Sequence, residues 1–574
     1  MTNRETCPRR DWWLAAVLVL AALLRLLGLR FGLPDLLYGD ESSLVNHALG
    51  FGKGDLNPHW FEYPSLQMYV LFAIYALVFA AGRLTGAWHG GWDFAVAYFR
   101  DPTLLQTISR GVTVLYGVLS VWLLYHIVRR WWGRSAALAA ALVLAVSPMH
   151  VINSHYVTTD VPMICTALLA LWLAQCALDE GSRRKLFLAA FVAGLAGAAK
   201  YPGLAMVPVV AAVPFLLPQL ALKRRLLDAL MLAFTGLAGF AAGAPFTFLD
   251  WREFRAGMAF QSNLVGKVGH LGFEASRNGW LFHARHSLPE TMSWALILLA
   301  LLGLILSLRR APARTVWLCL FPAAVFAVIG SQKTLFSRYA LPLAPFIALF
   351  CGVAYCRLLS WRQSAFWRAA LAILLLAACA PMALDSLGFG LSNSFPDTRS
   401  VARRWIEDRL PPGSAVALSR NSAPLTPDEA SLSRDSERVG GRLAEMGASS
   451  GAHLKSREKF KLRNKANESK PRFDVYTLDR YWRPGTLDWL VAQGVRYAAV
   501  DGAMEYRYRE AAKYHPDEVE FFDQLKQRGV LLNRVSPQNL RFSGLDAPLN
   551  RLRLATSGPE ISIYRLPAKG KDTK

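Results

Sequence analysis

Long apolar runs separated by short polar segments dominate the first 390 residues of the chain. A helix rises 1.5 Å per residue, so about 20 apolar residues cross the roughly 30 Å hydrocarbon core of a bilayer. Eleven runs reach or approach this length: Trp12–Gly28, 105–128, 135–153, 160–178, 186–199, 202–217, 227–248, 288–308, 315–331, 336–357 and 366–388. The pattern predicts an all-α polytopic membrane module of about 11–13 transmembrane helices at residues 1–390.

A twelfth apolar run, Leu66–Ala81, has an ambiguous role. Cytoplasmic loops are enriched in Lys and Arg. If the amino terminus is cytoplasmic and Leu66–Ala81 does not cross, all basic clusters between the runs fall on the cytoplasmic face: Arg129, Arg130 and Arg134; Arg183, Arg184 and Lys185; Lys223, Arg224 and Arg225; Arg309, Arg310 and Arg314; Arg357, Arg362 and Arg368. We therefore expect Leu66–Ala81 to be an interfacial or re-entrant helix inside one outer loop at 31–104, a plain span being the alternative.

The first apolar run is expected to stay in the protein. Arg25 interrupts it, and no small-residue cleavage site follows it. These features argue against a cleaved signal peptide.

Composition changes after about residue 390, where charged residues become dense. Short strand-like runs at Val416–Leu418, Arg496–Val500 and Ile561–Tyr564 alternate with helical patterns at Thr398–Leu410 and Asp517–Arg528. Residues 391–574 are therefore predicted to form an extracytoplasmic α/β domain. Within it, residues 421–470 are rich in Ser, Gly, Lys and Arg and are expected to form a mobile loop.

Overall composition supports the membrane assignment and excludes other classes. The chain is 53% hydrophobic and 18% charged, with a formal net charge of +23 and seven cysteines. Six of the cysteines lie in apolar runs, and none forms a metal or redox motif. Because much of the basic excess lies in loops between apolar runs, we interpret it as a topology signal and expect no nucleic-acid partner.

Carboxylates and imidazoles gather on the predicted outer face. Asp40 and Glu41 follow the first apolar run, Glu62 precedes Pro64, and His155 and Asp160 lie at the start of a later run. Ionisable groups near bilayer depth are costly and usually functional. Such a set can abstract a proton or bind a divalent cation. The alternative for Asp160 is helix capping.

Two cations lie at apolar-run ends on the same predicted face. Lys200 is in Ala198-Ala-Lys-Tyr-Pro-Gly203, and Arg338 is in Ser337-Arg-Tyr-Ala-Leu-Pro342. Buried cations facing an outer cavity suit a lipid phosphate. Snorkelling of the side chain to the interface is the alternative.

Taken in order, these motifs resemble a known family. They are the Asp-Glu pair after the first span, the Glu before a proline-led helix, Ser147-Pro148 followed by His and Asp, the Lys-Tyr-Pro-Gly turn and Tyr339-Ala-Leu-Pro-Leu-Ala-Pro345. They resemble the bacterial GT-C polytopic membrane glycosyltransferases (glycosyltransferase family 39-like). The nearest groups are the protein O-mannosyltransferases and the aminoarabinose transferases of lipid A. The resemblance covers about residues 10–390, and the segments Asp397–Ile406 and Pro411–Ser414 resemble the extracytoplasmic domains of bacterial members.

The resemblance implies roles for individual residues. Asp40 matches the essential loop Asp, a base or metal ligand, and Glu41 its catalytic neighbour. Asp160 matches a second-loop Asp that shares a divalent cation with Asp40. The other matches are Glu62 and His155 in the substrate or metal loops, and Lys200, Arg338 and Tyr339 at the donor phosphate.

Two departures from the family pattern concern the substrate. Ser43 replaces an Arg found in the aminoarabinose enzymes, and Pro64-Ser65 replaces the usual Pro-Pro. Both speak against aminoarabinose as the sugar and leave the class unaffected.

The implied activity is transfer of a sugar, with inversion, from a polyprenyl monophosphate to an acceptor hydroxyl. It is expected at the outer face of a bacterial inner membrane. The acceptor would be an envelope glycan, lipid or protein, and the implied cofactor is a divalent cation, with no nucleotide or redox cofactor. The alternative is a multi-spanning transporter or flippase, whose charges would line a substrate path. Against it, the sequence shows no internal repeat, and its outer-face charges cluster beside a large domain.

Overall fold

The computed structural model describes residues 11–263, 266, 271, 278–445, 450–541, 550 and 552–568. Helices make up the described part of the membrane module. Their bounds are α1 Trp12–Leu26, α2 Gly39–Gly50, α3 Leu66–Leu84, α4 Gly91–Arg100, α5 Thr103–Ala145, α6 Pro148–Ser154, α7 Asp160–Glu180, α8 Arg183–Ala199, α9 Met206–Ala211, α10 Leu222–Gly243, α11 Phe246–Leu249, α12 Trp251–Gln261, α13 Gly279–Phe282, α14 Leu288–Thr291, α15 Trp294–Arg310, α16 Pro312–Gly330, α17 Ala344–Leu359 and α18 Ala365–Ser392.

Many of these helices suit a bilayer. Within the described ranges, seven are long and apolar enough to cross: Leu66–Leu84, Thr103–Ala145, Asp160–Glu180, Leu222–Gly243, Pro312–Gly330, Ser337–Leu359 and Ala365–Ser392. The bent pair Gly279–Thr291 and Trp294–Arg310 makes an eighth if it forms one span. The prediction of a multi-pass, all-α membrane module is confirmed.

Helix α5 joins two of the predicted apolar runs. The range covers two helices that meet at a break in the basic segment at 129–134, where the sequence predicts a loop. The break is confined to Gly133, whose φ of +83° and ψ of −179° are not helical. A single glycine can make such a turn because it has no Cβ to clash.

Close helix contacts organise the middle of the bundle. A Cβ on Gly194 of α8 would lie 1.9 Å from the carbonyl oxygen of Gly236 in α10. One on Gly239 would lie 2.0 Å from the carbonyl oxygen of Phe191. Small residues let the two backbones approach, as is common between membrane helices.

Helix α3 contacts one end of the bundle along its length. At its start, the Ser65 hydroxyl donates to the carbonyl of Gly243, the last residue of α10. At its middle, Tyr75 hydrogen-bonds Ser109, near the start of α5, at 2.6 Å. Helix α3 is one of the seven helices long and apolar enough to cross, so its placement as an interfacial or re-entrant helix remains a prediction.

The carboxy-terminal region is an α/β domain, as expected. Its elements are α19 Thr398–Arg409, β1 Ala415–Leu418, α20 Glu429–Glu445, α21 Ser450–Asn467, β2 Asp474–Thr477, α22 Thr486–Ala492, β3 Tyr497–Asp501, α23 Gly502–Glu510, α24 Pro516–Arg528, β4 Val530–Val535 and β5 Ile561–Arg565. The strand order is β2-β1-β3-β5-β4. The first three strands are parallel, and β5 pairs antiparallel with β3 and β4.

The segment 421–470, predicted to be a mobile loop, contains two helices in its described part, and its mobility remains a prediction. Helices α20 and α21 occupy most of this segment. The polar composition concealed a narrow apolar stripe: Leu462 and Ala466, four residues apart, are buried against Val96 of α4. Residues four apart share a helix face, so two apolar side chains suffice to dock α21 on the membrane module.

Helix α19 holds the chain just ahead of Asp40. Asp35 accepts a hydrogen bond from the Ser400 hydroxyl and pairs with Arg403 at 3.1 Å. Arg399 donates to the Leu37 carbonyl at 3.0 Å and is itself held by Asp397. The carboxy-terminal domain therefore fixes the segment that leads to the candidate site.

Candidate active site

A buried ion pair anchors the loops around the site. Arg110 of α5 makes two parallel hydrogen bonds to the Glu41 carboxylate, at 2.8 and 2.7 Å. It also donates to the carbonyls of Leu29 and Phe31, and Val157 N–H donates to Glu41 at 2.9 Å. Neither charged side chain is exposed. We call this set the anchor pair; it joins α2, α5 and the loops at 29–31 and 155–159.

The anchor pair gives Glu41 a structural position. Its two carboxylate oxygens are used by Arg110 and Val157, away from solvent. The geometry offers no support for a direct catalytic role of Glu41. Sequence analysis gave Arg110 no role, although a lone charge inside an apolar run is a signal for a buried partner.

Asp40, one residue earlier on α2, points elsewhere and is 41% exposed. Its Oδ2 lies 3.0 Å from Nη1 of Arg338, which also hydrogen-bonds the Tyr38 hydroxyl. The Tyr38 ring stacks on Tyr156, with centroids 4.1 Å apart. Successive helix residues are about 100° apart around the axis, so Asp40 can face the site while Glu41 faces the interior.

Asp160 and Lys200 form a second pair, with Nζ 2.6 Å from Oδ1. Asp160 begins α7, and Lys200 follows the end of α8 in an extended conformation. Their side chains are 5% and 14% exposed. The capping alternative for Asp160 is not what the structure shows, because Thr159 is the N-cap residue of α7 and the Asp160 carboxylate pairs with Lys200.

Aromatic rings bring the two pairs into one cluster. Lys200 Nζ lies 5.9 Å from the ring centroids of both Tyr63 and Tyr339. Arg338, on the turn beside Tyr339, pairs with Asp40. We call this set the charged cluster; its members are Asp40, Asp160, Lys200, Arg338, Tyr38, Tyr63 and Tyr339. Two carboxylates and two cations balance its charge.

Burial sets the protonation of the flanking groups. It lowers the pKa of Lys200 below the usual value, and the Asp160 carboxylate acts in the opposite direction. It raises the pKa of the Tyr38 and Tyr63 hydroxyls, which therefore stay neutral. The cluster offers hydrogen-bond donors to an anion and carboxylate acceptors to a hydroxyl.

The remaining sequence candidates lie around the cluster. Glu62 accepts a hydrogen bond from Gln261 at 3.3 Å. His155 is fully buried, and its two ring nitrogens lie 2.9 and 2.8 Å from the carbonyls of Val151 and Leu27. Since both nitrogens face backbone oxygens, the geometry offers no support for His155 as a metal ligand.

The described residues contain one group of three suited to a metal, and it is not the predicted pair. Ligand atoms of His59, Asp250 and Glu253 all lie within 4.8 Å of one another. His59 Nδ1 is 2.7 Å from Glu253, and its Nε2 is 3.1 Å from Asp55. A ligating histidine usually bonds a carboxylate through its other nitrogen. The predicted ligands Asp40 and Asp160 each pair with a cation instead.

Comparisons with known proteins indicate which class of protein this chain is similar to. Residues 106–248 match the family model described as dolichyl-phosphate-mannose-protein mannosyltransferase. Comparison with curated proteins finds no significant match. Among solved structures, the oligosaccharyltransferase of Archaeoglobus fulgidus in its apo form matches with a TM-score of 0.51 and 14% identity, over 91% of this chain and 73% of that one. This chain has the GT-C glycosyltransferase fold.

Two further solved structures match this chain. The Archaeoglobus fulgidus enzyme with an inhibitory peptide and dolichol-phosphate matches with a TM-score of 0.50 and 14% identity, over 91% of this chain and 73% of that one. ArnT from Cupriavidus metallidurans bound to undecaprenyl phosphate matches at 0.47 and 14%, over 98% and 99%. The resemblance to GT-C glycosyltransferases is confirmed. The family-model segment contains Arg110, Asp160 and Lys200 and ends two residues before Asp250.

The anchor pair generates a stability prediction. Arg110→Met leaves the Glu41 charge buried without its partner, which should cost about 3–5 kcal/mol of unfolding free energy. Thermal unfolding in detergent, followed by tryptophan fluorescence, measures the loss. Arg129→Met, at an exposed arginine of the same helix, is the matched control. The double variant Arg110→Met with Glu41→Gln should recover part of the loss. Equal melting temperatures of Arg110→Met and Arg129→Met would contradict the prediction.

Proposed function

We propose that this chain transfers a sugar from a polyprenyl-monophosphate donor to an acceptor hydroxyl, with inversion, at the outer face of a bacterial inner membrane. The observation that carries the proposal is the charged cluster, in which two carboxylates and two cations meet at one end of an apolar helical bundle. The related archaeal oligosaccharyltransferase has been solved with dolichol-phosphate, a donor-type lipid phosphate.

Charge balance suggests how the donor binds. Lys200 and Arg338 are paired with Asp160 and Asp40. A donor phosphate entering the cluster competes for the same cations through charge-assisted hydrogen bonds. Its binding would release Asp40 from Arg338, which leaves a carboxylate free to accept a proton.

The transfer step then uses groups already in place. The acceptor oxygen forms a bond to the anomeric carbon while the bond from that carbon to the phosphate oxygen breaks. The hydroxyl proton goes to Asp40, a general base. Charge growing on the leaving phosphate is offset by Lys200 and Arg338, and Tyr339 lines the same position. The phosphate departs with its lipid chain.

We assign a divalent cation to His59, Asp250 and Glu253 in preference to Asp40 and Asp160. One imidazole with two carboxylates is a donor set that Zn²⁺ and Mn²⁺ accept. A bound cation would supply positive charge beside the loop that also carries Glu62 and Tyr63. Asp55 and Asn57 hold the ligands His59 and Asp250 in place through hydrogen bonds of 3.1 and 2.8 Å.

The decisive experiment is turnover with defined donors. Purified protein is incubated with a set of polyprenyl-phosphate sugars and candidate acceptors. Release of free polyprenyl phosphate, dependent on the acceptor, is the expected result. Absence of release from every donor, by protein whose melting curve shows it folded, would contradict the proposal.

The proposed location predicts a topology. An odd number of crossings, with the basic clusters inside, places the carboxy terminus in the periplasm. A reporter active only in the periplasm should therefore be active when fused after Lys574. The same reporter fused near Arg310 should be inactive, and the reverse pattern would overturn the arrangement.

Donor binding should depend on the two cations. Lys200→Ala and Arg338→Ala each remove a charge-assisted contact worth about 1.5–3 kcal/mol, so donor affinity should fall by about ten- to a hundredfold with acceptor affinity little changed. Donor titrations measure this effect. Lys223→Ala, at an exposed lysine of a predicted cytoplasmic cluster, is the control. Unchanged donor dependence in both variants would favour snorkelling.

Asp40→Asn tests the base. The substitution keeps the side-chain volume and removes the basicity, so turnover should fall by at least about a hundredfold while the melting temperature stays unchanged. Near-parental turnover by folded Asp40→Asn protein would exclude Asp40 as the general base.

Metal content separates the two possible cation sites. Glu253→Gln and Asp250→Asn should lose bound Zn²⁺ or Mn²⁺, measured by elemental analysis after dialysis, whereas Asp160→Asn should keep it. If only the Asp160→Asn variant lost its metal, the cation would instead be assigned to Asp40 and Asp160.

A further inference from the structure

A cavity of about 670 Å³ lies between α2, α3, α4 and helix α21 of the carboxy-terminal domain. Its volume falls in the range of about 300–1,000 Å³ that is typical of small-molecule sites. Six large aromatic side chains line it: Trp60, Phe72, Phe79, Trp92, Phe94 and Phe99. The charged cluster contributes none of its lining residues.

The cavity suits a hydrocarbon chain better than a sugar. A buried sugar needs hydrogen-bond partners for its hydroxyls, because unpaired polar groups are costly to desolvate. The walls here are mainly apolar. Polar groups are few, and Lys53 and Lys459 supply positive charge among them. An apolar chain with an anionic head group matches this distribution.

A buried acceptor indicates that the head group carries a hydroxyl. Asn46 lines the cavity, and its Oδ1 is buried with no hydrogen-bond partner in the described part of the chain. A buried amide oxygen without a donor is destabilising. A glycerol hydroxyl beside the two lysines would supply the missing donor.

The position of the cavity favours a lipid from the surrounding membrane. Helix α3, which forms one wall, is long and apolar enough to lie in a bilayer. On its other surface, Leu77 and Leu84 are 72% and 89% exposed. Exposed apolar side chains on such a helix are expected to contact acyl chains. The cavity therefore lies behind a helix that is expected to face membrane lipid.

We propose that this cavity binds one acyl chain of phosphatidylglycerol, with the head group at Lys53, Lys459 and Asn46. The bound lipid would fill the space between α4 and α21 and so connect the membrane module to the outer domain. It would also support the loop at 58–60, whose Trp60 lines the cavity and stacks on His47 at 4.5 Å. The charged cluster lies outside the cavity, whereas the candidate metal ligand His59 is part of its lining.

Photolabelling tests the proposal on the full-length protein in phosphatidylcholine nanodiscs. The probe is phosphatidylglycerol with a diazirine on one acyl chain, and labelled peptides are mapped by mass spectrometry. Labels should concentrate in residues 72–99 and 459–462. Ala76→Trp, which fills the cavity, should reduce this labelling at least fivefold, and Ala76→Leu should reduce it less.

A matched variant controls for contact with bulk lipid. Ala81 is exposed on α3 and does not line the cavity, so Ala81→Trp should label as the parent does. Equal labelling of Ala76→Trp, Ala76→Leu and Ala81→Trp would show surface contact only and overturn the proposal.

Two further arms test the head group and independence from catalysis. Lys53→Gln combined with Lys459→Gln should remove the preference for labelled phosphatidylglycerol over labelled phosphatidylcholine, and a retained preference would overturn the head-group assignment. Asp40→Asn protein should label like the parent, since binding does not require transfer. Labelling of the parent protein in the absence of any sugar transfer by it would count against the proposed function alone.

Discussion

The site depends on the bidentate ion pair between Glu41 and Arg110. Both charges are fully buried, which is tolerable only because each has its partner and further backbone hydrogen bonds. The pair joins the chain after α1, the start of α2 and the loop before α7. These segments carry Tyr38, Asp40 and Asp160, so one interaction sets the relative positions of both carboxylates in the charged cluster.

The charged cluster resolves a problem of membrane energetics. Four ionised side chains at the end of an apolar bundle would be costly if they were unpaired. Pairing Asp40 with Arg338 and Asp160 with Lys200 makes the empty cluster neutral. The pairing can also be exchanged, because an anion that binds the two cations leaves a carboxylate without its partner. Under the proposed function, pairing would stabilise the cluster before the donor binds and leave a carboxylate reactive afterwards.

Much of the fold and part of the site were predictable from the sequence. Asp40, Asp160, Lys200, Arg338 and Tyr339 stand out because polar groups at the ends of apolar runs carry a cost that chance rarely tolerates. The three candidate metal ligands were not predictable as a group, since His59 lies 191 residues from Asp250 and only the folded loops bring them together. The opposite orientations of Asp40 and Glu41, and the helices at 421–470, likewise depend on tertiary contacts rather than on local pattern.

The contacts of α19 with residues 35–37 limit how domains can be exchanged between such proteins. Asp35 and the Leu37 carbonyl bind side chains of the carboxy-terminal domain only three to five residues before Asp40. A carboxy-terminal domain grafted from a relative would therefore bring unmatched partners to this segment. A functional chimera needs its junction placed so that residues 35–37 come from the same parent as α19, although more than 350 residues separate them in the chain.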